Sequence, residues 1–156
     1  MANPGKKRAD ELLRGEFVQW KNEHDELDLQ LSELRQWFET DRRLQTVPFA
    51  EAVRRLKLLQ SQLENHFSGE QRLGELLARV RGASSPELEA SIRQANKDHE
   101  ILLKRLTALV ESANMAEGEF DSWQAFAYEF SLFVDVLEQH EEMEESNVRS
   151  LFPTSN

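Results

Sequence analysis

The sequence predicts an all-α protein, an antiparallel up-down-up-down four-helix bundle. Three observations carry that prediction: long runs rich in Leu, Glu, Gln, Arg and Ala, apolar residues recurring in steps of three and four, and breaker residues that divide the chain into four segments. The first run steps through Leu13, Phe17, Trp20, Leu27, Leu31, Leu34 and Phe38, and His24 fills its one gap. The second goes Phe49, Leu56, Leu59, Leu63, His66, Glu70, Leu73, Leu77 and Val80, so two polar residues occupy steps that an apolar core would claim. The third reads Leu88, Ile92, Ala95, His99, Leu102, Leu106 and Leu109. The fourth reads Trp123, Phe126, Phe130, Phe133, Leu137, His140 and Glu144, with Ala127 and Val134 widening the stripe. Each helix therefore carries one histidine in its buried seam.

The helix limits follow from local chemistry. Thr46-Val47-Pro48 precedes the second helix, Gly82-Ala83-Ser84-Ser85-Pro86 the third, and Gly118 with Asp121 the fourth. Ser85-Pro86-Glu87 places a capping hydroxyl, a helix-starting proline and an acidic first turn together, and Asp121 with Gln124 reads as a capping box. Short connections between amphipathic helices make neighbours antiparallel. Residues 1–156 are expected to form a single domain with its core bundle over about 10–152, the ends Met1 to Lys7 and Pro153 to Asn156 fraying.

Composition excludes several functions. Acidic residues outnumber basic ones 29 to 19, a formal charge of −10, so the global field repels phosphates and no nucleic-acid partner is expected. Arg42-Arg43 and Arg54-Arg55 are too short to make a binding patch. The basic start is followed by no apolar segment, and nowhere do 18 apolar residues run together, so the expectation is a soluble cytoplasmic protein with no membrane partner. Zero cysteines removes disulfides, thiolate zinc sites and iron–sulfur clusters, which leaves any metal to nitrogen and oxygen donors. No glycine-rich phosphate loop and no serine–histidine nucleophile arrangement is present.

The candidate site is His24, His66, Glu70, His99, His140 and Glu144. His66 and Glu70, like His140 and Glu144, stand four residues apart, about one turn along one helix face. If two positions in seven are core, four histidines fall there by accident in under about one case in a hundred. Carboxylates in a dry bundle core are costly to bury without cations. Imidazole and carboxylate donors suit iron, with manganese or zinc fitting the same residues, and two carboxylates able to bridge favour a dinuclear site. Across the second and third helices the heights agree, since the midpoint of His66 and Glu70 stands as far before Gly82 as His99 stands beyond Ser85; the other two hairpins are less tightly matched, and His140 needs the fourth helix to overhang by a turn or more.

An octahedral pair needs about twelve coordination positions. Four imidazoles supply four, two bridging glutamates four and an oxo or hydroxo bridge two, which leaves up to about two positions open for water, dioxygen or peroxide. Glu138, Glu141, Glu142 and Glu145 fall off the seam and are assigned to a solvated face, the alternative being that one supports or replaces a ligand. The aromatic stripe of Phe126, Phe130 and Phe133 with Trp20 and Phe38 is expected to be core that keeps the site dry.

The residues that carry this site resemble the hemerythrin-like family, the HHE cation-binding domains. The resemblance runs from His24 through His66-Phe67-Ser68-Gly69-Glu70 and Asp98-His99-Glu100 to His140-Glu141-Glu142-Met143-Glu144-Glu145 and Leu151-Phe152-Pro153. It implies two non-haem iron ions joined as Fe–O–Fe or Fe–OH–Fe, held by His24, His66, Glu70, His99, His140 and Glu144. Oxygen-carrying hemerythrins typically have a second histidine where this chain has Leu103, and a longer spacing on the fourth helix than His140 to Glu144. The pattern is closer to hemerythrin-like domains that sense iron or oxygen, including one on an F-box ubiquitin ligase subunit.

The expected function is therefore a non-haem di-iron protein that binds or senses oxygen, peroxide or iron availability, more a sensor or binding domain than an enzyme. The rival readings are a di-iron oxidoreductase acting on peroxide or nitric oxide and a metal-free helical interaction bundle. The sequence names no protein partner.

Overall fold

The computed structural model describes residues 4–40, 48–80, 86–115 and 120–151. They form four helices in chain order, α1 (Pro4–Glu39), α2 (Phe49–Val80), α3 (Pro86–Met115) and α4 (Phe120–Leu151). No strand occurs among the described residues. α1 begins at Pro4, earlier than the expected start near residue 10, because a proline fits the first helical position and lacks the N–H that would go unsatisfied there. Pro48 caps α2: its carbonyl accepts a hydrogen bond from the Ala52 N–H at 2.9 Å. Pro86 opens α3 as expected, while its proposed capping hydroxyl, Ser85, lies outside the described residues. Asp121 sits inside the first turn of α4, one residue past the start at Phe120, and so is not the cap itself. Gly118, Thr46, Val47 and Pro153 to Asn156 lie outside the described residues.

Neighbouring helices run antiparallel. Along α1 and α4, Lys21 reaches Glu145 while Arg35 reaches Asp135, so one numbering rises as the other falls. Along α2 and α3, Gln60 donates to Thr107 while Glu70 meets His99. Along α1 and α2, Arg55 lies 4.4 Å over the Trp37 ring while the His24 and His66 rings stack. Packing of α1 on α4 and of each helix on its successor closes the ring, which makes the topology up-down-up-down.

The interior has two apolar parts. The larger holds Leu31, Phe38, Phe49, Leu56, Leu106, Trp123, Phe126, Phe130, Phe133 and their neighbours. Its rings pack tilted, edge-on and stacked, as with Phe38 and Phe130 at 4.5 Å, Phe49 and Trp123 at 5.2 Å and Phe38 and Trp123 at 5.3 Å, and the Trp123 indole N–H donates to the Phe38 carbonyl at 3.2 Å. The smaller holds Leu13, Trp20, Leu73 and Leu77 near the other end. Between the two, on all four helices, lie the buried polar residues.

On α3 the expected seam drifts by one residue at its end. Val110 and Ala113 are buried where Leu109 is half-buried, because 3.6 residues per turn slowly rotates a pattern read in threes and fours.

Candidate metal centre

α1 brings in His24, α2 His66 and Glu70, α3 His99, and α4 His140 and Glu144; all six are buried and meet at one level. A seventh residue joins them. Glu141 is 1% exposed, and its Oε2 stands 2.5 Å from His24 Nε2 and 3.2 Å from His66 Nε2. This overturns its assignment to a solvated face. Glu138 and Glu145 are half-buried, and only Glu142 of the four acids is exposed.

The contacts divide into two halves that share one carboxylate. Glu70 touches His66 Nε2 through Oε1 and lies 2.9 Å from His99 Nε2 through Oε2. Glu144 Oε1 sits 2.8 Å from His99 Nε2 and also touches His140 Nε2. Glu70, His99, His140 and Glu144 thus offer donor atoms within 4.8 Å of one another, and so do His66, Glu70 and Glu141. Both carboxylates at a spacing of four were expected to bridge; Glu70 spans the halves, whereas the ion-pair contacts of Glu144 are with His99 and His140 on one side. A third group, His24 with Asp25 and Asp28, shares His24, but its two acids are exposed.

Hydrogen-bond accounting tests whether a cation fits. Glu70 Oε1 and Oε2, Glu141 Oε1, and both ring nitrogens of His24 and His140 are buried and make no aligned hydrogen bond among the described residues. Buried polar atoms are nearly always satisfied, and leaving one unpaired costs about 1–3 kcal/mol. Two hydrogen bonds do form in the cluster, His66 Nε2 with Glu141 Oε2 at 3.2 Å and His99 Nε2 with Glu144 Oε1 at 2.8 Å, and the remaining atoms approach one another without alignment. A cation satisfies the lone pairs of several such atoms at once, where a proton serves only one pair of them.

Electrostatics express the same crowding. Burial, then the adjacent Glu70 carboxylate, pushes the Glu144 carboxyl up to about 12. Burial works against the charged form of His66, yet contact with Glu141 and Glu70 outweighs it and lifts that imidazole to about 10. Burial opposes Glu70 and Glu141 too, but their histidine neighbours hold both carboxyls below the usual range. His140 is lowered by burial and by the facing His99.

Surrounding groups fix the ring orientations. Trp20 stacks on His24 at 5.2 Å, and Phe67 stacks on His99 at 4.0 Å. His24 Nδ1 lies 3.4 Å from Glu145 Oε2, and His140 Nδ1 lies 3.4 Å from Asp98 Oδ2, which puts a carboxylate behind each ring, where a metal-binding imidazole would donate its second N–H, without an aligned hydrogen bond. Lys21 bridges Glu145 and Asp25 at 2.9 Å each and so tethers the acid behind His24. Leu103, one turn after His99, is half-buried against the larger apolar cluster.

A family model described as the hemerythrin HHE cation binding domain matches residues 12–152. The chain belongs to the hemerythrin HHE family. No curated protein and no solved structure matches it. A hemerythrin HHE domain binds metal cations, and in this chain the buried His/Glu groups that meet at mid-bundle could hold them. No described helix of this hemerythrin domain is long and apolar enough to cross a membrane.

Glu141 and Phe67 were missed for one reason. Each directly follows a seam histidine, and a stripe read one residue wide assigns that position to the flank. The signal was present in the widening at Val134, because Glu141 follows it by seven residues and continues the same face.

Proposed function

We propose that this hemerythrin domain holds two irons among His24, His66, Glu70, His99, His140 and Glu144, and that it binds or senses oxygen, peroxide or iron availability. The observation that carries the reading is Glu70, whose two oxygens face histidines of different halves while making no aligned hydrogen bond. Such a carboxylate joins two cations as naturally as one. Bound iron would supply Lewis acidity and a change of oxidation state; the chain supplies neutral imidazoles, anionic carboxylates and a dry surround.

A small cleft supports a small ligand. It measures about 80 Å³, is walled by Trp20, Leu73, Leu77, Ile92 and Ala95, and has Glu70 and Glu144 among its lining residues. One water needs only about 10–15 Å³ of such space, so the cleft has room for a diatomic molecule or peroxide beside the two carboxyls. Iron assay of purified protein decides the first half of the proposal: about two irons per chain is expected, and fewer than about one, unchanged in His140→Ala, would refute it. Absorption spectra taken with and without air, then with peroxide, should shift.

The same cleft would also serve an oxidoreductase acting on peroxide or nitric oxide. Repeated turnover with an electron donor, as opposed to one stoichiometric oxidation, is the outcome that favours this second reading.

A further inference from the structure

We infer that Glu141 is a seventh metal ligand, a terminal carboxylate for the cation on the His24–His66 side, as Glu144 is for the cation on the His99–His140 side. The inference rests on the two-metal reading of the preceding section. Its geometry is independent of the sequence spacing that suggested the other six.

Glu141 Oε2 lies between two imidazoles, 2.5 Å from His24 Nε2 and 3.2 Å from His66 Nε2. Donors bound at about 2.0–2.2 Å to one cation, roughly at right angles, stand ~3 Å apart. The His66 separation matches that figure, and the His24 separation is shorter. The other oxygen, Oε1, is buried with no hydrogen bond among the described residues, in a side chain almost wholly removed from solvent. A buried carboxylate that faces two nitrogens and keeps a lone oxygen is costly unless a cation compensates it.

The two halves can be compared directly, because α2 and α4 present the same local pattern, a histidine followed four residues later by a glutamate. The residue after each histidine faces inward on both helices, since both are buried. On α2 it is Phe67, which stacks on His99. On α4 it is Glu141, which faces His24 and His66. The His24–His66 half therefore has two imidazoles, Glu141 and a share of Glu70. The His99–His140 half has two imidazoles, Glu144 and a share of Glu70, and Phe67 stacks on its His99 as Trp20 stacks on His24 in the first half. With Glu141 bound, each cation has its own terminal carboxylate, and Glu70 is the bridge.

The test uses the full chain loaded with ferrous iron and compares wild type with Glu141→Gln, Glu141→Ala and the exposed control Glu142→Gln. Iron per chain, the Mössbauer spectrum and the rise in Tm on loading are read for each. Wild type and the Glu142→Gln control should take about two irons and give the same Mössbauer spectrum as each other. Glu141→Gln, which keeps the side-chain shape, should lose the second iron or bind it at least about tenfold more weakly, with a spectrum that departs from wild type. Glu141→Ala should do the same; if it does not fold, the glutamine variant decides. A Glu141→Gln protein with two irons, a wild-type spectrum and a wild-type Tm rise overturns the inference while leaving the six-residue centre standing. Wild type that never takes a second iron overturns the two-metal reading and this one with it.

Discussion

Glu70 is the residue on which both halves converge, and its loss should be felt more widely than that of Glu144. Glu70→Ala is expected to abolish uptake of both cations, whereas Glu144→Ala should retain one, bound on the His24–His66 side; iron per chain by elemental analysis separates the two. Protonation adds a second expectation at this scale. Glu144 at about 12 and His66 at about 10 both carry protons at neutral pH in the metal-free protein. Metal ligation needs the carboxylate and the neutral ring, so loading must expel both protons, and apparent affinity should weaken as pH falls. Calorimetry in two buffers of different ionisation enthalpy should report about two or more protons released per centre; none released would contradict it. For the metal-free protein the sign reverses. Both groups have folded values above their ordinary 4.5 and 6.5, so their contribution to stability is complete below those values and is lost as pH rises toward about 12 and about 10. The metal-free Tm should fall between neutral and alkaline pH.

At the scale of the helix, the seam was legible because each histidine occupies a step that an apolar residue would otherwise take, and a helix cannot turn such a step outward without exposing the leucines beside it. Steps at His24, His66, His99 and His140 therefore implied burial, and all four are buried. What spacing could not reveal is the choice between adjacent inward positions. At the level of the site the stripe is two residues wide on α2 and α4, so Phe67 and Glu141 face inward beside His66 and His140. Nor does a spacing of four say which glutamate spans the halves; the placement of α3 between α2 and α4 does, by setting His99 within reach of both Glu70 and Glu144. The acids behind the rings were equally hidden, because their partners lie on other helices. Asp98→Asn and Glu145→Gln should each weaken metal affinity by about 10- to 100-fold, through rings less firmly held, with little change in metal-free Tm. By contrast, the half-buried Arg35 and the exposed Asp135 join α1 to α4 outside the cluster of ligands, and Asp135→Ala should cost no more than about 1 kcal/mol in denaturant unfolding.

Across the whole molecule, the polar level interrupts an otherwise apolar interior, and stability must be divided between the two. The larger cluster supplies hydrophobic burial at one end: Trp123 and Phe130 are almost fully enclosed, and replacing either with alanine should cost about 3–5 kcal/mol. The site lies outside that cluster, so such a variant, kept cold enough to remain folded, should still take its full complement of metal. The polar level works the other way. Without a cation it buries three glutamates among four histidines, with several atoms unsatisfied, at a cost to folding. With cations bound it draws a histidine from every helix to one point. Because the unfolded chain has no such site, metal at about 100 times its dissociation constant should stabilise the fold by about 2.7 kcal/mol for each site filled, a rise in Tm of roughly 5–10 °C per site for a domain of this size. Adding metal to the Trp123→Ala protein should therefore recover more than half of a loss near the lower end of that range, although the substitution and the metal lie at different levels of the bundle. A metal-free interaction bundle predicts instead that chelator and metal leave Tm unchanged in both proteins. Thermal scans of wild type and Trp123→Ala, each with chelator and with ferrous iron, distinguish the two by whether the same upward shift appears in both.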